Sequence, residues 1–246
     1  MVNSQTEISD AGIICFHSFT YAIKTMKKSI FVSILLLPAV LCLFYSCSPA
    51  SSDNGLSADI KNIVDDATLK TITDLGMPIN KGSNPTSLVN FYKASPLTLK
   101  ATNVLNDYAL GHVFSDYKFH FYAQDNAKLT IKFDYVAGAE SGTGLGAFIS
   151  GEGNNFSVFV QVHSSSGGKP AEVIHIISGT ITSTGISNFY FANFMLNNYG
   201  DTSGTWMANG HGRIFYDGDG VTPVVANLQA KSFDGYPSAG LAAPIK

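Results

Sequence analysis

A regular alternation of apolar and polar residues through the middle of the chain is the feature that most restricts its fold. Tyr117, Phe119 and Phe121 alternate with Lys, His and Tyr, and the same two-residue period recurs over residues 129–135 and 156–162. A period of two puts successive side chains on opposite faces of a β-strand, so each run predicts a half-buried strand. Short turn-rich stretches separate the runs. Strands joined so closely are antiparallel, because a parallel crossover needs a dozen or more residues.

We therefore expect an all-β fold, an antiparallel β-barrel, with a β-sandwich as the alternative. The chain has 23 glycines, 12% aromatic and 13% charged residues, which suits many strands linked by turns. One amphipathic helix is predicted at the N-terminal side, over residues 57–75, because apolar residues recur there at helical spacing. Ser57 is its expected N-cap, and Gly76 and Pro78 mark its end. We expect this helix to dock on the domain or to plug one end of it, rather than to bind a partner.

Upstream of this domain, a cationic start, an apolar run and a cysteine follow one another. Lys27 and Lys28 precede the apolar run over residues 30–45, and Ser46 and Cys47 come directly after it. This order is typical of a bacterial lipoprotein export signal. A retained transmembrane helix is the alternative, but the run is shorter than the roughly 20 residues that a membrane span needs. A buried core helix is the third interpretation. We expect cleavage before Cys47 and attachment of fatty acyl chains, such as palmitate, to Cys47.

These signals divide the chain into three parts. Residues 1–46 are predicted to be an upstream extension and a signal peptide, with Met26 as the expected true start. Residues 47–56 form a tether, and residues 57–246 form a single β-rich domain that includes the helix 57–75. Two or more acyl chains anchor a protein stably. We therefore expect a lipid-anchored protein of the cell envelope, in the outer membrane rather than the inner one, with the membrane as a partner through its anchor.

Composition excludes several classes of function. The chain has 15 basic and 18 acidic residues, so the basic footprint that nucleic-acid binding requires is missing, and we expect no nucleic-acid partner. The cysteines are Cys15, Cys42 and Cys47, and all of them precede the predicted domain. Disulfides, thiolate metal sites and cysteine nucleophiles are therefore not expected within it.

Motifs that could bind a metal or a nucleotide are incomplete. Asp217-Gly-Asp-Gly220 begins like a calcium loop, but Leu228 stands where an EF-hand needs Glu. A tight turn is the expected structure, and a partial cation site is the alternative. Gly142-Thr-Gly-Leu-Gly146 is followed by a strand pattern rather than the helix of a phosphate loop, so we expect a close backbone approach or a bulge. The domain histidines lack metal-ligand spacing; they are His112, His120, His163, His175 and His211.

Candidate catalytic residues are equally scattered. No Gly-x-Ser-x-Gly elbow is present, and the acidic residues fall mostly in predicted turns; they are Asp134, Glu140, Glu152 and Glu172. Four aromatic residues predict either core packing or a platform for sugars; these are Tyr190, Phe194, Tyr199 and Trp206. We therefore predict no catalytic residues, no metal site and no cofactor, and we expect a protein that is not an enzyme.

Several longer segments carry a resemblance to known proteins. They are the cysteine signal ending at Cys47, Leu75-Gly-Met-Pro-Ile-Asn-Lys-Gly-Ser-Asn-Pro85, Gly144-Leu-Gly-Ala-Phe-Ile-Ser-Gly-Glu-Gly-Asn-Asn-Phe156, Ile177-Ser-Gly-Thr-Ile-Thr-Ser-Thr-Gly-Ile-Ser-Asn188 and Phe215-Tyr-Asp-Gly-Asp-Gly220. With them, the chain resembles a group of uncharacterised Bacteroidota envelope lipoproteins. The expected barrel is similar to the up-and-down barrels of the calycin, or lipocalin-like, type. The resemblance implies an envelope-anchored domain and carries over no catalytic residue.

The expected function is that of a binding module for a small apolar or glycan ligand, held in the interior or at the rim of the domain. A structural or assembly lipoprotein that contacts a protein partner is the alternative, and a hydrolase is a third. A barrel of about eight strands can just hold one small ligand. A hollow interior would favour the first hypothesis, and a filled interior with an exposed apolar patch would favour the second.

Overall fold

The computed structural model describes residues 55–228. Four parts of the chain lie outside the described residues: the predicted signal peptide, Cys47, most of the tether and the tail over residues 230–246. What the sequence predicts for them stays a prediction. Within residues 55–228, no helix combines the length and the hydrophobicity that crossing a bilayer requires.

The predicted N-terminal helix is present as two short helices. They are α1 (Ala58–Ile63) and α2 (Asp66–Asp74). Ser57 caps α1 as predicted, its hydroxyl accepting from the Ile60 N–H. The chain then leaves helical conformation at Val64, and the Asp65 carboxylate accepts from the Thr68 N–H at 2.7 Å, which begins α2. The sequence contains this second cap, but the uninterrupted apolar spacing concealed the break. Asp65 satisfies an N–H group that a helix start would otherwise leave unpaired.

All strands of the described chain belong to one sheet of twelve strands. They are β1 (Ser83–Pro85), β2 (Asn90–Ala94), β3 (Leu97–Thr102), β4 (Val113–Phe114), β5 (Tyr117–Asp125), β6 (Thr130–Ala137), β7 (Glu140–Gly153), β8 (Asn155–Ser166), β9 (Lys169–Ile181), β10 (Gly185–Asn197), β11 (Gly212–Asp217) and β12 (Val221–Pro223). Three of them, β1, β4 and β12, have only two or three residues.

The sheet curls around one interior and confirms the predicted all-β antiparallel, barrel-like fold. Its strand order is β2-β5-β6-β7-β8-β9-β10-β11-β3-β4, and the strands along this path pair in antiparallel fashion. The short strand β1 pairs in parallel with β7, and β12 pairs with β10. Just after β12, a bridge between Val224 and Tyr92 joins the chain to β2. One curled sheet, rather than two stacked sheets, encloses the core.

The glycine-rich part of β7 allows an aromatic ring to lie directly on the strand. A Cβ atom at Gly142 would lie 2.6 Å from the Tyr135 ring and 2.7 Å from a methyl group of Val162. The pairing of β7 with β8 also shifts between Gly144 and Gly146. Both predictions for this segment, a close approach and a bulge, are confirmed. The glycines there make room for interior side chains.

Two layers of apolar side chains hold the domain together. The first fills the interior and includes Tyr117, Phe119, Phe121, Phe133, Tyr135, Phe156, Phe191 and Phe215. The second lies between the helices and the outer face of strands β8 to β11, and includes Ile60, Val64, Ile72, Phe159, Ile174 and Phe194. The helices therefore dock on the barrel wall. Their cover explains why residues 189–196 are apolar on both strand faces.

Candidate functional site

The interior of the domain is filled by side chains. Its aromatic rings are almost fully buried and contact one another, with centroids 4.2 Å apart for Tyr117 and Phe191 and 5.3 Å apart for Phe119 and Phe121. A groove of about 270 Å³ lies outside this interior, beside α2 and Lys81. A close-packed interior of this kind has its space taken by protein atoms.

A buried polar tract crosses this apolar interior, and it is the main feature that the sequence patterns did not predict. It contains Tyr117, Tyr135, Glu140, Ser164, His175, Asn193 and Arg213. At one end, the Tyr135 hydroxyl donates to Oε1 of the fully buried Glu140 and lies 2.8 Å from the Ser164 hydroxyl. Burial, assisted by the Glu140 charge, raises the pKa of Tyr135 well above its usual value. The phenol therefore keeps its proton and serves as a donor to the carboxylate.

The centre of the tract is the imidazole of His175. Its Nδ1 atom lies 3.0 Å from the Tyr117 hydroxyl, and its Nε2 atom has no hydrogen-bond partner within residues 55–228. Burial lowers the pKa of His175 to about 3, so the ring is neutral at pH 7. Rings surround it, with centroids 4.7 Å away for both Tyr135 and Phe191. The sequence placed His175 inside an apolar run, which gave no signal of a polar role.

The other end of the tract is a buried ion pair. The Arg213 guanidinium donates to both carboxylate oxygens of Asp107, at 2.8 and 2.5 Å, and both side chains are almost inaccessible to solvent. Burial alone would raise the pKa of Asp107, but the hydrogen bonds from Arg213 and Thr102 outweigh it and hold that pKa below its usual value. Asn193 lies opposite both His175 and Arg213 in the strand pairing. Its amide atoms have no partner among the described residues.

The tract has no solvent-exposed face, so its groups cannot reach a substrate from outside in this conformation. It is an internal framework of hydrogen bonds, with the Tyr135–Glu140 contact at one end and the Asp107–Arg213 ion pair at the other. The framework also determines the position of one loop.

That loop, residues 103–112, joins β3 to β4 and is here named the distal loop. The Asp107–Arg213 pair holds it, and the Asn103 side chain accepts from the Gly212 N–H at 2.7 Å. Despite this fixed backbone, the loop points two large apolar side chains to solvent: Leu105 is 83% exposed and Leu110 67%. Val113, the first residue of β4, is 54% exposed. Large apolar side chains held exposed on a fixed backbone make this loop a candidate interaction surface.

The distal loop lies at the end of the sheet opposite to the point where the described chain begins. It contacts Gly212, at the end of the sheet where β10 finishes and β11 begins. Gly55 lies against the side chain of Lys81. The next residue, Gly82, accepts from the Gly151 N–H near the turn between β7 and β8. Because β7, β8, β9 and β10 alternate in direction, that turn and the end of β10 are on opposite sides.

The structure does not bring the predicted histidine and acidic candidates together. His112 stacks on Tyr108, His120 lies on the outer face, and His175 is interior. Among the acidic residues, Glu140 belongs to the polar tract. Asp134 lies on β6, Glu172 lies on β9, and Glu152 is exposed near the other end of β7. Within residues 55–228, no group of three His, Cys, Asp or Glu side chains is placed to hold a metal ion.

The four aromatic residues considered as a sugar platform are dispersed. Trp206 is part of the interior, and Phe194 lies under the helices. The Tyr190 hydroxyl accepts from Lys100 at 3.0 Å, and the exposed Tyr199 donates to Glu172. Core packing is therefore confirmed for Trp206 and Phe194.

The carboxylates of the Asp217-Gly-Asp-Gly220 segment serve the backbone of a turn. Asp217 accepts from the Ser95 N–H at 3.2 Å and from the Thr222 hydroxyl at 2.6 Å, and Asp219 accepts from the Val221 N–H at 3.1 Å. Burial raises the pKa of Asp217. The turn interpretation is confirmed, and Asp217 links the β11–β12 turn to the connection between β2 and β3.

Comparisons with known proteins give no information about function, so the proposal depends on the geometry of the domain. Comparison of the chain with protein-family models, with curated proteins and with solved structures found no match. The resemblance to Bacteroidota lipoproteins therefore rests on the sequence segments alone. The function that follows is argued from the filled interior, the polar tract and the distal loop.

Proposed function

We propose that the protein is a lipid-anchored, non-enzymatic component of the cell envelope that contacts a protein partner through its distal loop. The observation that carries this proposal is the pair of leucines, Leu105 and Leu110, presented to solvent at 83% and 67% exposure on a loop held by a buried ion pair. Anchoring at Cys47 is the other half of the proposal, and it rests on the sequence signal.

The filled interior favours this assembly role over the binding of an apolar ligand inside the domain. A small ligand would need the volume that the Phe and Tyr rings of the interior occupy. The dispersed positions of Trp206 and Tyr190 likewise give a glycan no shared aromatic surface. The ligand-binding hypothesis therefore has less support than the contact with a protein.

The free energy gained when exposed leucines are buried explains why we infer a partner for this loop. Burying one leucine side chain contributes about 1.5–3 kcal/mol, so two of them can supply a substantial part of a protein–protein affinity. Because Arg213 and Asn103 already fix the loop backbone, little conformational entropy is lost on binding. The loop is thus preorganised for contact.

The position of the anchor favours a protein over the membrane as the surface that the loop meets. Cys47 is eight residues before Gly55, a distance of at most about 28 Å for an extended chain. The end of the domain near Gly55 and Lys81 is therefore the end held close to the bilayer, and the distal loop is on the opposite side.

Site-specific photo-crosslinking in cells tests the contact. A photoreactive residue is placed at Leu105 or Leu110, and at Leu145 as the control, because Leu145 is also exposed, at 63%, but lies on β7. We expect a protein adduct of discrete mass from the loop positions, and its loss when the other loop leucine is changed to Ser. Adducts with lipid only, or equal yields from Leu145, would contradict the proposal.

A separate experiment tests the anchor. The Cys47→Ala variant should leave the membrane fraction, because it removes the residue expected to carry the acyl chains. If the variant stays with membranes, lipidation at this cysteine is not what holds the protein. The cross-linking result does not depend on this outcome, since it reports on the loop.

A further inference from the structure

A second exposed apolar surface lies where the chain after β12 meets β2. Val224 forms a bridge with Tyr92, and the Val225 N–H donates to the Phe91 carbonyl at 2.9 Å. Val225 therefore lies opposite Phe91 and shares its outer face, whereas Val224 lies opposite Tyr92, which points to the interior. Val89, two residues before Phe91, is 48% exposed. We name the outer surface formed by Val89, Phe91 and Val225 the seam.

Stacked rings extend the seam along the outer face of β5. The Phe91 ring stacks on His120 with centroids 3.7 Å apart, and His120 stacks on Tyr122 at 4.7 Å. These three rings are half-buried and lie on the outer side of the sheet, since Tyr92 and Phe121 point to the interior. Val89 and the three rings thus lie on the same outer face of β2 and β5.

The seam is also the place where few backbone bonds join the two sides of the curled sheet. On one side is β2, and on the other is β12, which has three residues. The bridge at Tyr92 and the bond from Val225 are the connections described above. A segment that covered the seam would therefore both bury apolar side chains and reinforce this junction of the sheet.

The chain leaves the described structure at this same surface. Leu228 comes three residues after Val225, and residues 229–246 follow it. That segment contains large apolar side chains and only three charged ones. The apolar residues are Phe233, Tyr236, Leu241 and Ile245. Five residues from Leu228 to Phe233 span at most about 18 Å, so the first of them can reach back to the seam.

We propose that residues 229–246 bind back across the seam as a strap, with Phe233 and Tyr236 packed against Val89 and the ring of Phe91. A covalently linked segment meets this surface at a high effective concentration, which a separate molecule lacks. A second copy of the chain is a poorer occupant, because a few valine and phenylalanine side chains bury much less than the roughly 1,200 Å² of a stable dimer.

Photo-crosslinking within the full chain tests the strap. A photoreactive residue at Val89 should form adducts that map by mass spectrometry to residues 229–246 of the same molecule. The control position is again Leu145, which is exposed on β7 and should not reach the segment. Adducts of dimer mass, adducts mapping elsewhere, or equal yields from both positions would overturn the proposal.

Amide exchange in a double variant gives a second test, which does not depend on the chemistry of the cross-linker. Phe233→Ser combined with Tyr236→Ser should abolish the adduct from position 89 and raise amide exchange at Val225 by about tenfold. Exchange at Val160, in the middle of β8, should stay unchanged and show that the fold is intact. Unchanged exchange at Val225 would contradict the strap. Neither readout involves the distal loop, so a failure here leaves the proposed partner contact untouched.

Discussion

His175 and Asn193 lie directly opposite each other on β9 and β10, and both direct polar atoms without a hydrogen-bond partner among the described residues into an aromatic interior. Unpaired polar atoms cost free energy in such a place. Their neighbours on either side, Tyr117 and Arg213, are hydrogen-bonded. The pair therefore lies in the middle of a polar tract whose ends are hydrogen-bonded. We expect pH to change the free energy of unfolding through this part of the tract.

Acid should destabilise the domain through His175. Burial lowers the folded-state pKa of His175 to about 3, from a usual value of 6.5. Between pH 6.5 and pH 3, His175 therefore binds a proton in the unfolded state but not in the folded state. Its contribution to the free energy of unfolding is complete above pH 6.5 and is lost as pH falls toward 3. We expect the His175 contribution to fall by about 2 kcal/mol between pH 7 and pH 5.

Urea unfolding of the wild type and of His175→Gln at both pH values measures this contribution. The variant cannot titrate, so its unfolding free energy should fall less over the same interval. Equal pH dependence of the two proteins would show that His175 is not the group responsible.

The Tyr135–Glu140 hydrogen bond should be a strong structural contact. Glu140→Ala removes the acceptor of a buried phenol and should lower the free energy of unfolding by about 1–3 kcal/mol. Glu152→Ala is the matched control, because Glu152 is an exposed residue of the same strand, and its effect should stay within about 0.5 kcal/mol. Chemical denaturation compares the two, and similar effects would contradict the importance of the polar tract.

Breaking the buried ion pair should be costly and should release the distal loop. Arg213→Met leaves the Asp107 carboxylate buried without its cation, and we expect a loss of about 3–5 kcal/mol. The double variant Arg213→Met with Asp107→Leu removes both charges and should recover a large part of that loss. A double variant as unstable as the single one would show that the cost comes from packing rather than from the unpaired charge.

Two glycines of β7 should differ sharply in their tolerance of alanine. A Cβ at Gly142 would lie 2.6 Å from the Tyr135 ring, whereas a Cβ at Gly146 has nothing within 4 Å. Gly142→Ala should therefore destabilise the domain by about 1–3 kcal/mol, and Gly146→Ala should have an effect within about 0.5 kcal/mol. Thermal unfolding measures both, and equal shifts in Tm would argue against the close approach of Tyr135.

Local sequence patterns predicted the strands well because each pattern reflects which side of a strand is buried. Tyr117, Phe119 and Phe121 do face the interior, and the turn at Asp217 and the cap at Ser57 form as their residue types indicate. The break at Val64 was missed, since the apolar spacing continues through it. The two-sided burial of β10 depends on helices that pack against its outer face, which no strand pattern can specify.

Residue types at short spacing were enough to predict the all-β class, the antiparallel pairing of neighbouring strands and the incomplete metal and nucleotide motifs. The filled interior, and the meeting of Glu140, His175 and Arg213 in one tract, became visible in the three-dimensional fold. Those residues come from β7, β9 and β11, and their meeting depends on strand register and sheet curvature. Register over such distances follows from the packing of the whole core, which no local pattern records.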